Sequence, residues 1–300
     1  MGMPGRAPLH WLFTTTSLIL SAMRFLSVAE RELRAGARQK GIHRMRWITA
    51  LTFFGLLAWL MWVFNSFRSA QVFQIYSTLT FFYCLTIGTV RTADCLSSEK
   101  REGTVGLLFL TNLNGMEIIG GKLCSNALAA AYGLFAIFPL LALQMSLGGV
   151  TLWHFWRTVL ALANAILFSM AAGFLASSMC VRQFTAVALA AGLTIFISLG
   201  LMGLSAVANA FRSMKGWSTP LAVFSPFYTL VSAKSRFGPL RSHYWWSVLA
   251  VAGLSCFFVA LATWRVTRSW RDRASNPRRW LHSHIMQFLR ERGRTSMLTI

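Results

Sequence analysis

Six stretches of this chain carry no Asp, Glu, Lys or Arg, and they limit its fold more than any other feature: residues 47–67, 69–90, 123–156, 158–181, 183–211 and 242–264. An α-helix rises about 1.5 Å per residue, so about 20 apolar residues cross a hydrocarbon core. Each stretch reaches that length. The one at 123–156 is too long for a single crossing. It predicts a helix from Leu123 to about Leu147, a break at Gly148 and Gly149, and then the approach to the next helix. Pro139 predicts a kink inside that third span. The expected fold is an all-α integral membrane protein whose six transmembrane helices fill residues 47–265.

Charge agrees with this class and sets the orientation. Hydrophobic residues make up 55% of the chain and charged residues 12%, against about 25% charged in a soluble domain. Basic residues outnumber acidic ones 29 to 8, for a formal net charge of +21. Nucleic-acid binding would need those cations on one folded face. Here they fall in blocks between apolar runs, as membrane flanks do, so no nucleic-acid partner is expected. With the N-terminus inside, 22 of the 29 basic residues and all 8 acidic ones lie in cytosolic segments. This satisfies the positive-inside rule, with Arg68, Arg157 and the basic residues of 212–241 left outside. Trp47, Trp153, Trp156, Trp245, Trp246 and Trp264 stand near span ends, as an aromatic belt does. The expectation is a multi-pass protein of the cell inner (plasma) membrane with both termini cytosolic.

Residues 1–22 form a leader whose status the sequence leaves open. The run LHWLFTTTSLILSA is short for a span, and no A-x-A-like cleavage site follows it. The favoured readings are a translation start at Met23 or a leader loosely associated with the membrane, with a seventh span as the remaining alternative. Residues 23–46 predict an amphipathic helix. Ser27 and Glu30 have capping-box spacing, Leu26, Ala29 and Leu33 share one face, and Glu30, Arg31, Arg34 and Arg38 supply the other. Such a helix lies along an anionic lipid surface or touches a cytosolic partner.

The longest polar insertion between apolar spans is 91–122, and it holds Asp94, Glu99, Glu102 and Glu117, four of the eight acidic residues. Span two is expected to continue as a helix into Asp94–Arg101 and to stop near Gly103. Thr104 is placed to cap a short helix over Val105–Leu110, and Asn114 with Glu117 repeats the cap spacing at the entry to span three. A short apolar helix with a charged rim suits docking into a groove on another protein, or packing on its own bundle.

The residue order adds to this. Glu99, Gly103, Thr104, Leu107, Leu108, Thr111, Glu117, Gly121 and Lys122 follow the pattern Glu-x-x-x-Gly-Thr-x-x-Leu-Leu-x-x-Thr, then Glu-Ile-Ile-x-Gly-Lys. This resembles the loop after the second span of ABC-2 type permeases, the membrane subunits of ABC transporters. Asn112 stands where family members often carry Pro. Ser225-Pro226-Phe227 before the last span also resembles that family. The resemblance covers residues 23 to about 270. It implies a six-helix, type V exporter-like fold with an interfacial connecting helix at 23–46 and a coupling helix in the 91–122 loop. It also implies re-entrant helices on the outer side within 212–241. A homodimer or heterodimer of permeases would work with a separate ATP-binding subunit, and ATP and magnesium would belong to that subunit. Glu99, Glu102, Gly103, Thr104, Leu107, Leu108 and Thr111 would contact it.

This chain offers no chemistry of its own. Met116 to Leu123 looks like a phosphate loop only in its Gly121-Lys122 pair: Met116 replaces the first Gly and Leu123 the Ser or Thr that holds magnesium. Lys122 reads instead as a snorkelling residue at the inner interface. The five Cys show no CxxC spacing, and His282 and His284 lack a third ligand nearby, so no metal site and no catalytic residue is expected. Spans without Asp, Glu, Lys or Arg disfavour proton relays. Asn126, Gln144, Asn164 and Asn209 bring the strong polarity, as interhelical bonds or as part of a substrate path. Residues 266–300 form a basic cytosolic tail, with Asn276-Pro277 as a helix start. The leading expectation is therefore a permease subunit, an exporter, that is not itself an enzyme. The alternative is a non-transporting scaffold or regulator that recruits a cytosolic protein through 91–122. Substrate and direction are not legible.

Overall fold

The structure, a computed structural model, describes residues 40–63, 69–97, 115–146, 150–211, 220–234 and 239–274. Among these, every regular element is helical: α1 (Lys40–Val63), α2 (Ser69–Ala93), α3 (Gly115–Ser146), α4 (Leu152–Met179), α5 (Gln183–Ile195), α6 (Leu201–Ala210), α7 (Pro226–Lys234) and α8 (Pro239–Ala274). A π-helical turn, Phe196–Gly200, joins α5 to α6 into one rod. In a lipid core every backbone donor must be met within the segment, and uninterrupted helices do this.

Five helices are long and apolar enough to cross a membrane: Ala70–Ser97, Ile119–Ser146, Leu152–Met179, Gln183–Ala210 and His243–Arg268. The protein is thus an all-α, membrane-embedded chain. The apolar part of α1 is the shorter Trp47–Trp62. Lys40–Arg46 belong to the same helix as that stretch. Similarly, α8 continues unbroken past residue 265 to Ala274. Pro139 lies inside α3 without ending it. The belt tryptophans Trp47, Trp153, Trp156, Trp245, Trp246 and Trp264 are all exposed, as lipid-facing rings should be.

Helix α4 is the hub. Its apolar stretch is 78% buried, against 22% for α3 and for the α5–α6 rod, and it packs on α2, α3, α5, α7 and α8. Its inward face alternates small and large groups, with Ala161, Ala165, Ser169 and Gly173 between Leu162, Phe168 and Phe174. The order of contacts fixes directions. Gly88 faces Ser169 and Thr92 faces Gly173, so α2 and α4 run parallel. Asn164 meets Val248 and Phe168 meets Phe258, so α8 runs the same way. Cys95 meets Asn126 and Tyr83 lies against Gly133, so α3 is antiparallel to them.

The helices extend beyond the charge-free runs and take in the charges that flank them. Arg157, expected at a span edge on the outer side, lies in the second turn of α4 and is buried. Arg91 and Asp94 lie within the apolar helix Ala70–Ser97, and Lys122 within Ile119–Ser146. Using each charge as a span boundary hid this, because a buried cation with partners is compatible with a bundle interior.

The alternating directions lead to a test of topology. In right-side-out membranes of a chain with Lys215→Cys, an impermeant thiol reagent is expected to label that site, and with Arg278→Cys it is not. Labelling of the tail alone would invert the orientation.

Candidate functional site

The proposed coupling residues Glu99, Glu102, Gly103, Thr104, Leu107, Leu108 and Thr111 lie outside the described residues, as do the cap pair Asn114 and Glu117 in their side chains, the connecting segment 23–39, and His282 and His284. Where the loop leaves and returns is described. Helix α2 breaks at a turn on Asp94 and resumes over Cys95–Ser97. The amides of Leu96 and Ser97 both donate to Ser177 Oγ of α4, each at 2.9 Å. That one hydroxyl satisfies two donors at a helix start, the role a capping residue plays in sequence. Ser97 Oγ in turn donates to Asp94 Oδ1 at 2.6 Å. On the return side, Asn126 Nδ2 donates to Lys122 O at 2.9 Å and reaches Cys95 Sγ at 3.5 Å. Lys122 is buried at this corner. The loop is therefore held at both ends by contacts linking α2, α3 and α4.

Above this corner α2 and α4 meet through a reciprocal pair of small-residue motifs. A Cβ on Gly88 would collide with Ser169 Oγ, and one on Gly173 with Thr92 Oγ1. Close approach lets each hydroxyl reach across: Ser169 Oγ to Cys84 O at 3.2 Å and Thr92 Oγ1 to Met170 O at 3.2 Å. Bonds of this kind average about 0.6 kcal/mol in a bilayer, so the packing that Gly permits dominates.

At the other end, the Ser225-Pro226 pair starts α7 as sequence rules require. Ser225 sits at the cap position, with Tyr228 N 3.4 Å from its Oγ, and Pro226 occupies the first helical position. Ser225 Oγ also donates to Ser198 O at 2.6 Å, within the π turn. The wider π-helical winding carries the amide of Leu201 to Phe196 O. Most of α7 is buried, and it packs on α4, α8 and the π turn. Thr229 and Ser247 share a hydroxyl bond of 2.6 Å, and Ser247 Oγ donates to Val223 O at 2.9 Å.

Two cations close the end of α7. Arg157 Nη2 donates to Ser232 O at 3.2 Å, and its guanidinium lies 4.0 Å from the centre of the Tyr244 ring. Tyr244 Oη donates back to Arg157 O at 2.9 Å. Lys234 Nζ donates to Gln74 O at 2.9 Å and Thr78 Oγ1 at 2.8 Å. Burial holds the Lys234 ammonium down at about 8. Cations favour a helix C-terminus, where carbonyls lack partners, and the Arg–aromatic contact adds to that. The sequence reading gives neither residue this role; the signal for Arg157 is a lone cation between two apolar runs, whereas Lys234 stands two residues from Arg236.

The four polar residues of the spans separate into different roles. Asn126 ties the loop corner, and Asn164 Nδ2 donates to Val248 O at 3.1 Å, joining α4 to α8. Asn209 is exposed on α6. Gln144 is fully buried, and neither its Oε1 nor its Nε2 has a partner among the described residues. It is not an interhelical tie. A buried polar group left so costs about 1–3 kcal/mol. Tyr76 Oη and Ser198 Oγ share that condition.

No group of three or more His, Cys, Asp or Glu among the described residues is placed to hold a metal ion. No protein-family model matches the chain, and no curated protein matches it in sequence.

Proposed function

We propose that this chain is the permease subunit of an ATP-driven ABC-2 type transporter, an exporter with six spans and both termini in the cytosol of a cell inner membrane. A homodimer or heterodimer of such subunits would work with a separate ATP-binding subunit, which holds ATP and magnesium. One observation carries the reading: the Glu99 to Lys122 residue order starts just past the end of one helix and runs into α3, and these two helices are tied to each other and to the hub. Force applied to a loop so held passes into α2, α3 and α4 instead of being absorbed at its base. In this mechanism closure of the ATPase dimer pushes the loop helix, tilts the hub, and shifts α7 at the far side. The burial of most of α7 suits a re-entrant segment.

The chain itself hydrolyses nothing in this reading, because no stretch supplies converging backbone donors for phosphate. Purified alone it is expected to show no ATP turnover above a control preparation, while the complex turns ATP over. Lys122→Ala should disturb insertion or coupling only. ATP turnover by the isolated chain, lost on that one substitution, would move the assignment to an enzyme.

A further inference from the structure

Tyr76 and Gln144 are the two fully buried side chains of α2 and α3 whose polar atoms lack hydrogen-bond partners, and the packing brings them to one level. Helices α2 and α3 are antiparallel, with Cys95 opposite Asn126 and Tyr83 opposite Gly133. Counting from either pair puts Gln144 within about one turn, about 5.4 Å along the axis, of Tyr76. Helix α1 closes the third side: the ring of Phe53 stands edge-on to Tyr76 at 5.7 Å. Around them the buried side chains Leu57, Leu60, Val72, Phe73, Ile137 and Leu141 are apolar, and the buried hydroxyls of Ser77 and Thr80 are spent on carbonyls of their own helix, Phe73 O and Tyr76 O.

Two polar groups without partners, set in an apolar wall, ask for a ligand that supplies what they lack. Gln144 offers both a donor and an acceptor, and the Tyr76 hydroxyl offers the same. Neither carries charge, and the buried wall around them is apolar, so an ion entering there would lose its hydration without compensation. We propose that Tyr76 and Gln144 line a latent binding site between α1, α2 and α3 that takes an uncharged hydrogen-bonding group, a hydroxyl or an amide, and is shut in this conformation. The inference stands on the packing alone. If the permease reading also holds, it gives the substrate class: a molecule presenting neutral hydroxyl or amide groups.

Cysteine accessibility tests it in the full chain in membranes, with labelling of the unsubstituted chain subtracted. Val251 of α8 is equally buried, lies on none of the three helices of the site, and serves as the closed reference. Gln144→Cys is expected to react with neutral methyl methanethiosulfonate about tenfold faster than Val251→Cys, and to resist a sulfonate-bearing methanethiosulfonate. Equal, slow reaction at both positions would overturn the site. Fast reaction with the anionic reagent would overturn its restriction to neutral groups. Should Gln144→Cys fail to fold, Gln144→Leu and Tyr76→Phe decide by melting temperature. Groups kept for a ligand leave it unchanged or raised when removed; a clear fall in both means they serve the fold. None of these outcomes involves ATP or a partner, so failure here is separable from failure of the transport reading.

Discussion

Replacing Gly173 by Leu is expected to remove most of the folded protein, the largest effect of any single change in the bundle. At this position α4 meets Thr92 of α2 so closely that a Cβ alone collides with the Thr92 hydroxyl, and Thr92 Cβ is 3.1 Å away. Overpacking a dense core costs about 1–3 kcal/mol, and Leu here belongs at the upper end. The neighbour cannot yield cheaply, since Thr89 O, a backbone atom, is 3.2 Å from the same point. Gly173→Ala is the graded control. It should cost less, chiefly by turning the Thr92 hydroxyl away from Met170 O, and a Thr92→Ala background should recover part of the loss. A double-mutant cycle on detergent-purified protein, read by thermal unfolding, measures that coupling. If Gly173→Leu melts with the parent protein, the parallel contact of α2 and α4 is wrong.

The second large effect belongs to the loop. Glu102→Lys with Leu108→Asp is expected to abolish copurification of the ATP-binding subunit while leaving membrane insertion intact. One change reverses a charge on the rim of the expected short helix, and the other places a carboxylate in its apolar face, where docking would strip its water. Both sites lie beyond the helix ends that pack into the bundle, so the helices should assemble normally. Undiminished complex formation removes the loop from the interface.

Much of the bundle is legible in the charge-free windows, because lipid leaves helices few alternatives. The windows at 69–90, 158–181, 183–211 and 242–264 each fall on a helix, and Ser225-Pro226 marks the start of α7 through ordinary cap chemistry. Interior charge is where that reading fails. Arg157 looks like a boundary in sequence, yet the Tyr244 ring and Ser232 carbonyl that accommodate it come from residues 75 and more positions away. Gly88 and Gly173 are unremarked in sequence for the same reason: their partners, Ser169 and Thr92, lie on another helix. Asn126, Gln144 and Asn164 read alike as amides in apolar runs, and tertiary packing alone separates ties from an amide without partners. The loop of 91–122 was singled out by composition and residue order, and the structure adds how firmly Ser177 and Asn126 hold its ends.

The central claim is that this chain passes on the work of a separate ATPase. Affinity purification of the tagged chain from its native membranes, with identification of what comes with it, tests that most directly. The expected result is a stoichiometric partner bearing a phosphate-binding loop, retained by the parent chain and lost with the Glu102→Lys, Leu108→Asp variant. A chain that purifies alone, or with a stoichiometric partner lacking any nucleotide site, contradicts the account and makes the loop the recruiting element of a scaffold.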